Sequence, residues 1–130
     1  MSIHIGDVSV QYSGSEESVL HGIGLDIEPG TVTLICGASG SGKSSVLRLI
    51  NGLIPHFHTV EGTGTVTVDG HNVAETEVHQ MGKLTATVFQ NPRTQFFTTD
   101  VDSELAFAGE NYQLPPETIR ARSAEALEYV

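Results

Sequence analysis

At 130 residues and 38% hydrophobic content, the chain is long enough for one domain, or part of one, with a core of its own. Six basic residues against sixteen acidic ones give a formal net charge of −10, which argues against nucleic acid or an anionic lipid surface as a partner. The single cysteine, Cys36, rules out an internal disulfide; with no bilayer-length apolar run and no basic-then-apolar leader, the expected location is the cytoplasm.

Ile3, Ile5, Val8, Val10 and Tyr12 alternate with polar neighbours, but the phase flips at Gly6 and Asp7. Two short strand pieces joined by a bend or bulge are predicted. Residues 13–18 form a polar loop, residues 19–27 a second strand, and Glu28, Pro29 and Gly30 a turn. Residues 31–36 (Thr-Val-Thr-Leu-Ile-Cys) are the near-continuous β-branched run of a strand buried on both faces, with Cys36 as a small apolar filler. Val46, Leu47, Leu49 and Ile50 then recur at helical spacing, and Asn51 with Gly52 supplies a stop. A loop over residues 53–62 leads to a half-exposed antiparallel strand over 63–68, closed by a turn at Asp69 and Gly70. A short helix over 75–81 and an apolar strand over 84–89 follow. Asp100, Asp102 and Glu104 precede Leu105, Ala106 and Ala108 as the acidic start of a helix, favoured by its dipole. Pro115, Pro116 and Glu117 open a last helix with Ile119, Ala126, Leu127 and Val130 on one stripe. The three acids read better as a helix start than as a metal or acid–base cluster. His56 and His58 lack a third ligand at a useful spacing and read as a loop pair.

Between the predicted buried strand and the first helix, residues 37–44 read Gly-Ala-Ser-Gly-Ser-Gly-Lys-Ser, filling the P-loop or Walker A pattern G-x-x-x-x-G-K-[ST]. Gly37, Gly40 and Gly42 let the backbone curl, so that successive N–H groups, those of Ser39 and Ser41 included, point inward as an anion cradle. The helix start adds its positive end and unpaired donors. Lys43 is expected to reach the β- and γ-phosphates of ATP, Ser44 to offer its hydroxyl to Mg²⁺, and Ser45 to donate near the α-phosphate. A bland glycine turn does not require Gly, Lys and Ser at these offsets.

Three further segments resemble the ATP-binding subunits of ABC transporters. Val8, Val10 and Tyr12, followed by Leu20, Ile23, Leu25, Ile27, Pro29 and Gly30, look like that family's opening antiparallel subdomain, in which an aromatic side chain stacks on adenine; Tyr12 matches it. Residues 64–70 (Gly-Thr-Val-Thr-Val-Asp-Gly) are similar to the strand and turn after the Walker A helix. Residues 88–92 (Val-Phe-Gln-Asn-Pro) look like the Q-loop, whose glutamine, here Gln90, touches Mg²⁺ and the attacking water and senses the membrane subunit. Residues 51–57, 95–101 and 104–107, with Glu110 and Asn111, resemble the energy-coupling-factor branch, which powers import of vitamins and of cobalt or nickel ions.

The resemblance implies an α/β P-loop NTPase core of the ABC ATPase type with an N-terminal antiparallel β subdomain. Residues 1–130 correspond to the N-terminal portion of one such domain: antiparallel subdomain, Walker A, Q-loop and the start of the helical subdomain. It implies catalytic roles for Lys43 and Gln90, Mg²⁺ at Ser44 and Gln90, and ATP as ligand. The implied partners are a second ATPase domain, a transmembrane coupling subunit and a substrate-specific membrane protein, with no nucleic acid. The implied location is the inner face of the cell membrane, held there through those subunits. Phe96 and Phe97 would lie where a coupling helix docks, or would pack the helical subdomain.

The family's signature motif, Walker B strand and switch histidine do not occur before Val130. In the family's fold the Walker B and switch strands separate the P-loop strand from the Q-loop strand, so residues 1–130 alone are expected to leave unpaired edges, to bind nucleotide weakly or self-associate, and not to hydrolyse ATP. The alternative readings are a non-catalytic nucleotide-binding module and another P-loop NTPase. A GTPase is disfavoured because neither Asn-Lys-x-Asp nor Asp-x-x-Gly occurs.

Overall fold

The computed structural model describes residues 1–129 and divides into two units, Met1–Thr87 and Val88–Val130, each taken by itself here. In the first, the alternation at the N-terminus forms one strand, β1 (Ile3–Tyr12), whose phase flip is a bulge. Asp7 takes a left-handed φ of 49°, and the register jumps between Ile5 and Val8 against β2 (Leu20–Ile27) and between Gly6 and Ser9 against β3 (Val60–Val68). The extra residue returns Val8 and Val10 to the buried face that Ile3 and Ile5 occupy. With the two-residue β4 (His71–Asn72) the antiparallel sheet runs β2-β1-β3-β4.

The core lies on one face of this sheet, where Ile3, Ile5, Val8, Val10, Leu20, Val66 and Val68 gather. They cluster with Val46, Leu49 and Ile50 of α1 (Lys43–Ile50), Ile54 of α2 (Leu53–His56), Val73, and Met81 of α3 (Val78–Leu84). Ile5 stands between Leu25 and Val66 in register and is fully buried. Ile5→Ala should therefore lower stability by about 2–5 kcal/mol, read as a lower urea midpoint at unchanged slope.

Five expectations are corrected. Residues 31–36 form no strand and pair with none among the described residues. Val32 is 100% exposed and Leu34 83% exposed, while Ile35 alone packs against the core. An apolar β-branched run becomes a buried strand only where a neighbouring strand takes up its hydrogen bonds and covers both faces. Cys36 is accordingly exposed rather than a core filler. The strand expected over 84–89 likewise does not form: Leu84 ends α3, Thr85 is extended, and residues 85–89 pair with no strand among the described residues. The helix expected over 75–81 begins three residues later, because Asn72 builds a turn: its Oδ1 accepts from the Ala74 N–H, and its carbonyl accepts from the Thr76 hydroxyl. Finally, the loop expected over 53–62 already contains α2 and the start of β3, where Val60 pairs with Tyr12.

In the second unit, Asn91 caps a 3₁₀ turn (Pro92–Gln95) by accepting from the Arg93 N–H, and two helices follow, α4 (Val101–Asn111) and α5 (Pro116–Glu128). Val130 of the predicted α5 stripe lies outside the described residues. Two of the three acids are occupied as caps. Asp100 accepts from the Ser103 N–H at 2.9 Å, and Glu104 accepts from the Phe97 and Thr98 N–H groups at 3.1 and 2.9 Å and from the Thr98 hydroxyl at 2.8 Å. The Thr98 bonds hold Glu104 below the usual carboxylate range, and the Ser103 bonds do the same for Asp100. A depressed folded-state pKa favours the fold above the ordinary carboxylate range, and that contribution is lost as pH falls through the depressed value. Protection of the Phe97 and Thr98 amides, taken relative to the intrinsic exchange rate at each pH, should thus fall on acidification, and Glu104→Gln should remove most of that pH dependence.

Candidate functional site

The residues of the G-x-x-x-x-G-K-S pattern curl ahead of α1. The helix starts at Gly42, with φ 86° and no side-chain cap, and the Gly42 carbonyl accepts from the Ser45 and Val46 N–H groups at 2.9 and 3.0 Å. The N–H groups of Lys43 and Ser44 meet no acceptor among the described residues. The positive end of α1 therefore presents two open donors.

The Lys43 ammonium folds back into the curl. It donates to the Gly37 and Ala38 carbonyls at 2.9 and 2.5 Å and lies 3.3 Å from Ser41 Oγ. Gly37, Ser39, Gly40, Ser41 and Ser44 are exposed around it, so the charge and the amides are open from the same side of the chain's surface. Gly42, by contrast, is buried: a Cβ there would lie 2.7 Å from Leu20 Cδ2 and 2.8 Å from the Val19 carbonyl oxygen. The β2 end thus forms the wall behind the loop. A compact cation, paired amides and a free hydroxyl suit an anionic polyphosphate with its divalent ion.

Ser45 is placed differently from its neighbours. It is 6% exposed, and its Oγ lies 3.0 Å from the Tyr12 hydroxyl, which also accepts from Arg48 Nη1 at 3.3 Å. The Tyr12 ring meets His58 edge-on, with centroids 5.8 Å apart. His56 turns instead to the Val73 carbonyl, so the two loop histidines serve different partners. Gln90 belongs to the second unit, where it is exposed just before the Asn91 cap. Sequence reading missed Arg48, Val19 and Leu20. Arg48 was accessible in principle, three residues after Ser45 on the same helix face. The other two depend on sheet register.

The family model described as ABC transporter matches residues 20–130. The chain belongs to the ABC transporter family. Residues 1–129 thus form part of a P-loop NTPase fold, with the antiparallel sheet at its N-terminus. The chain is 47% identical over 126 residues to an ABC transporter ATP-binding protein of Treponema denticola, covering 97% of this chain and 26% of that protein. It is 38% identical over 125 residues to a similarly named protein of Saccharolobus solfataricus (96% and 24%) and 36% identical over 126 residues to one of Streptomyces coelicolor (97% and 22%). The chain spans about a quarter of the length of these curated relatives. No helix among the described residues is long and apolar enough to cross a membrane.

Proposed function

We propose that residues 37–45 bind MgATP as part of an ABC-type importer ATPase that drives uptake of a vitamin or metal ion through membrane partner subunits. The observation that carries the nucleotide reading is the Lys43 ammonium held inside a glycine curl beside the open Lys43 and Ser44 amides. Lys43 neutralises charge on the β- and γ-phosphates, and a phosphate oxygen replaces the Gly37 and Ala38 carbonyls as acceptor. The Ser44 hydroxyl would ligate Mg²⁺, which when bound offsets charge developing on the transferred phosphoryl group; for Gln90 the same role is implied by the resemblance of residues 88–92 to the Q-loop. Gln90 orients the attacking water, and Tyr12 offers its ring to adenine. The importer direction and the substrate class rest on the likeness of residues 51–57, 95–101 and 104–107 to energy-coupling-factor ATPases.

Within the second unit, Phe97 stacks on Phe107 at 4.8 Å and is still 74% exposed, and Phe96 is 63% exposed on a cleft of about 350 Å³ with Val101 and Leu105. Both phenylalanines are therefore open to a transmembrane coupling subunit, Phe97 with one ring face already stacked on Phe107. A second ATPase domain supplies the opposing face of the nucleotide. Residues 1–130 alone do not turn ATP over, since the hydrolytic glutamate implied by the resemblance lies outside them. The protein works at the inner face of the cell membrane through these partners. Equilibrium titration with MgATP tests the reading: saturable binding supports it, and no binding by the intact protein removes it. ATP turnover by residues 1–130 alone would refute the second half.

A further inference from the structure

We propose that Tyr12 is a positioning residue for the phosphate loop, acting through its hydroxyl and by way of Ser45. The role rests on the MgATP reading of residues 37–45. Three side chains from two elements meet here. Tyr12 closes β1, while Ser45 and Arg48 stand one turn apart on α1. Arg48 Nη1 donates to Tyr12 Oη at 3.3 Å, and Tyr12 Oη lies 3.0 Å from Ser45 Oγ.

The chemistry of the donors sets the direction of this chain. A guanidinium only donates, so Arg48 occupies a lone pair of the phenol. With one lone pair so occupied, the phenol donates to Ser45 Oγ in the arrangement proposed. Ser45 accepts it, and its own hydroxyl proton is left for another acceptor. The Ser45 N–H is already taken by the Gly42 carbonyl at 2.9 Å, so the hydroxyl is the donor that this residue has to give. Because Ser45 is buried, bulk water is a poor recipient, and the acceptor in this proposal is a phosphate bound at the first turn of α1, beside the open Lys43 and Ser44 amides. The edge contact of His58 on the Tyr12 ring holds the phenol in this orientation. Without the phenol, the serine hydroxyl turns to a carbonyl one helical turn earlier, the ordinary partner of a serine within a helix.

The test is equilibrium binding of two probes, MgATP and magnesium tripolyphosphate, to the intact protein. Wild type is compared with Tyr12→Phe, Ser45→Ala and the double variant. The phenylalanine variant keeps the ring and removes only the hydroxyl. It is expected to weaken both probes by about 3- to 10-fold, the net worth of one neutral hydrogen bond such as that between the phenol and Ser45. Ser45→Ala is expected to match it, and the double variant to lose no more than either single one. Tyr12→Phe binding both probes like wild type would overturn the role and leave Tyr12 a ring alone. A loss confined to MgATP would assign the hydroxyl to the nucleoside end and also overturn it. Additive losses would exclude the route through Ser45. Wild type binding neither probe would remove the nucleotide reading, and the Tyr12 role with it.

Discussion

Lys43→Ala is expected to weaken MgATP binding by about 30- to 150-fold, the equivalent of roughly 2–3 kcal/mol for charge-assisted hydrogen bonds to phosphate. The ammonium lies within the curl and not in the core, since all of its contacts are to exposed groups of the loop. Truncation leaves the Gly37 and Ala38 carbonyls to water, so stability should change by only about 0.5 kcal/mol. A large binding loss on an unchanged unfolding curve is therefore the signature. Lys43→Arg should not rescue it, because a planar fork does not fit where a compact charge sits among three acceptors. Equal affinity of Lys43→Ala and wild type, measured by calorimetry, would strip the lysine of its assigned role.

Gly42→Ala should fail in a different way, losing both stability and binding. A Cβ at this position meets the Val19 carbonyl oxygen at 2.8 Å and Leu20 Cδ2 at 2.7 Å, and φ is 86°. Left-handed backbone costs a non-glycine residue about 1–2 kcal/mol, and overpacking against a fixed backbone atom adds about 1–3 kcal/mol. The carbonyl cannot retreat without disturbing the adjoining bond from the Val19 N–H to the Val10 carbonyl, at 2.7 Å. Gly40→Ala is the control. Its φ is 81°, but a Cβ there meets nothing within 4 Å, so only the conformational part should appear. Thermal or urea unfolding of the two variants separates steric from conformational loss; equal losses would show that the β2 wall does not constrain the loop.

Much of the site could be read along the chain because its parts lie within a few residues of each other. A glycine curl, a helix start and a lysine at fixed offsets are decided by local backbone geometry. Asn51 ends α1 as its neighbour Gly52 suggested, with its side chain accepting from the Leu53 N–H. Asp100 and Glu104 read as a helix start, and both carboxylates hold backbone N–H groups at the head of α4. The phase flip at Gly6 and Asp7 gave away the bulge in β1, since a period of two survives one inserted residue only with a shift.

What composition and spacing could not supply were the partners of each segment. Residues 31–36 carry the side chains of a buried strand, yet burial is conferred by a neighbour that those letters do not name; here Val32 and Leu34 stay exposed. The contacts of Tyr12 with Ser45 and Arg48 cross 33 and 36 positions, and the wall behind Gly42 comes from the start of β2. By itself the sequence determined the glycine curl before α1, the end of α1, the acidic start of α4 and the bulge in β1, because each is closed by bonds spanning a few residues. Only the tertiary structure decided which hydroxyl faces which, and which apolar run is covered, because those depend on strand register and on surfaces brought together from far along the chain.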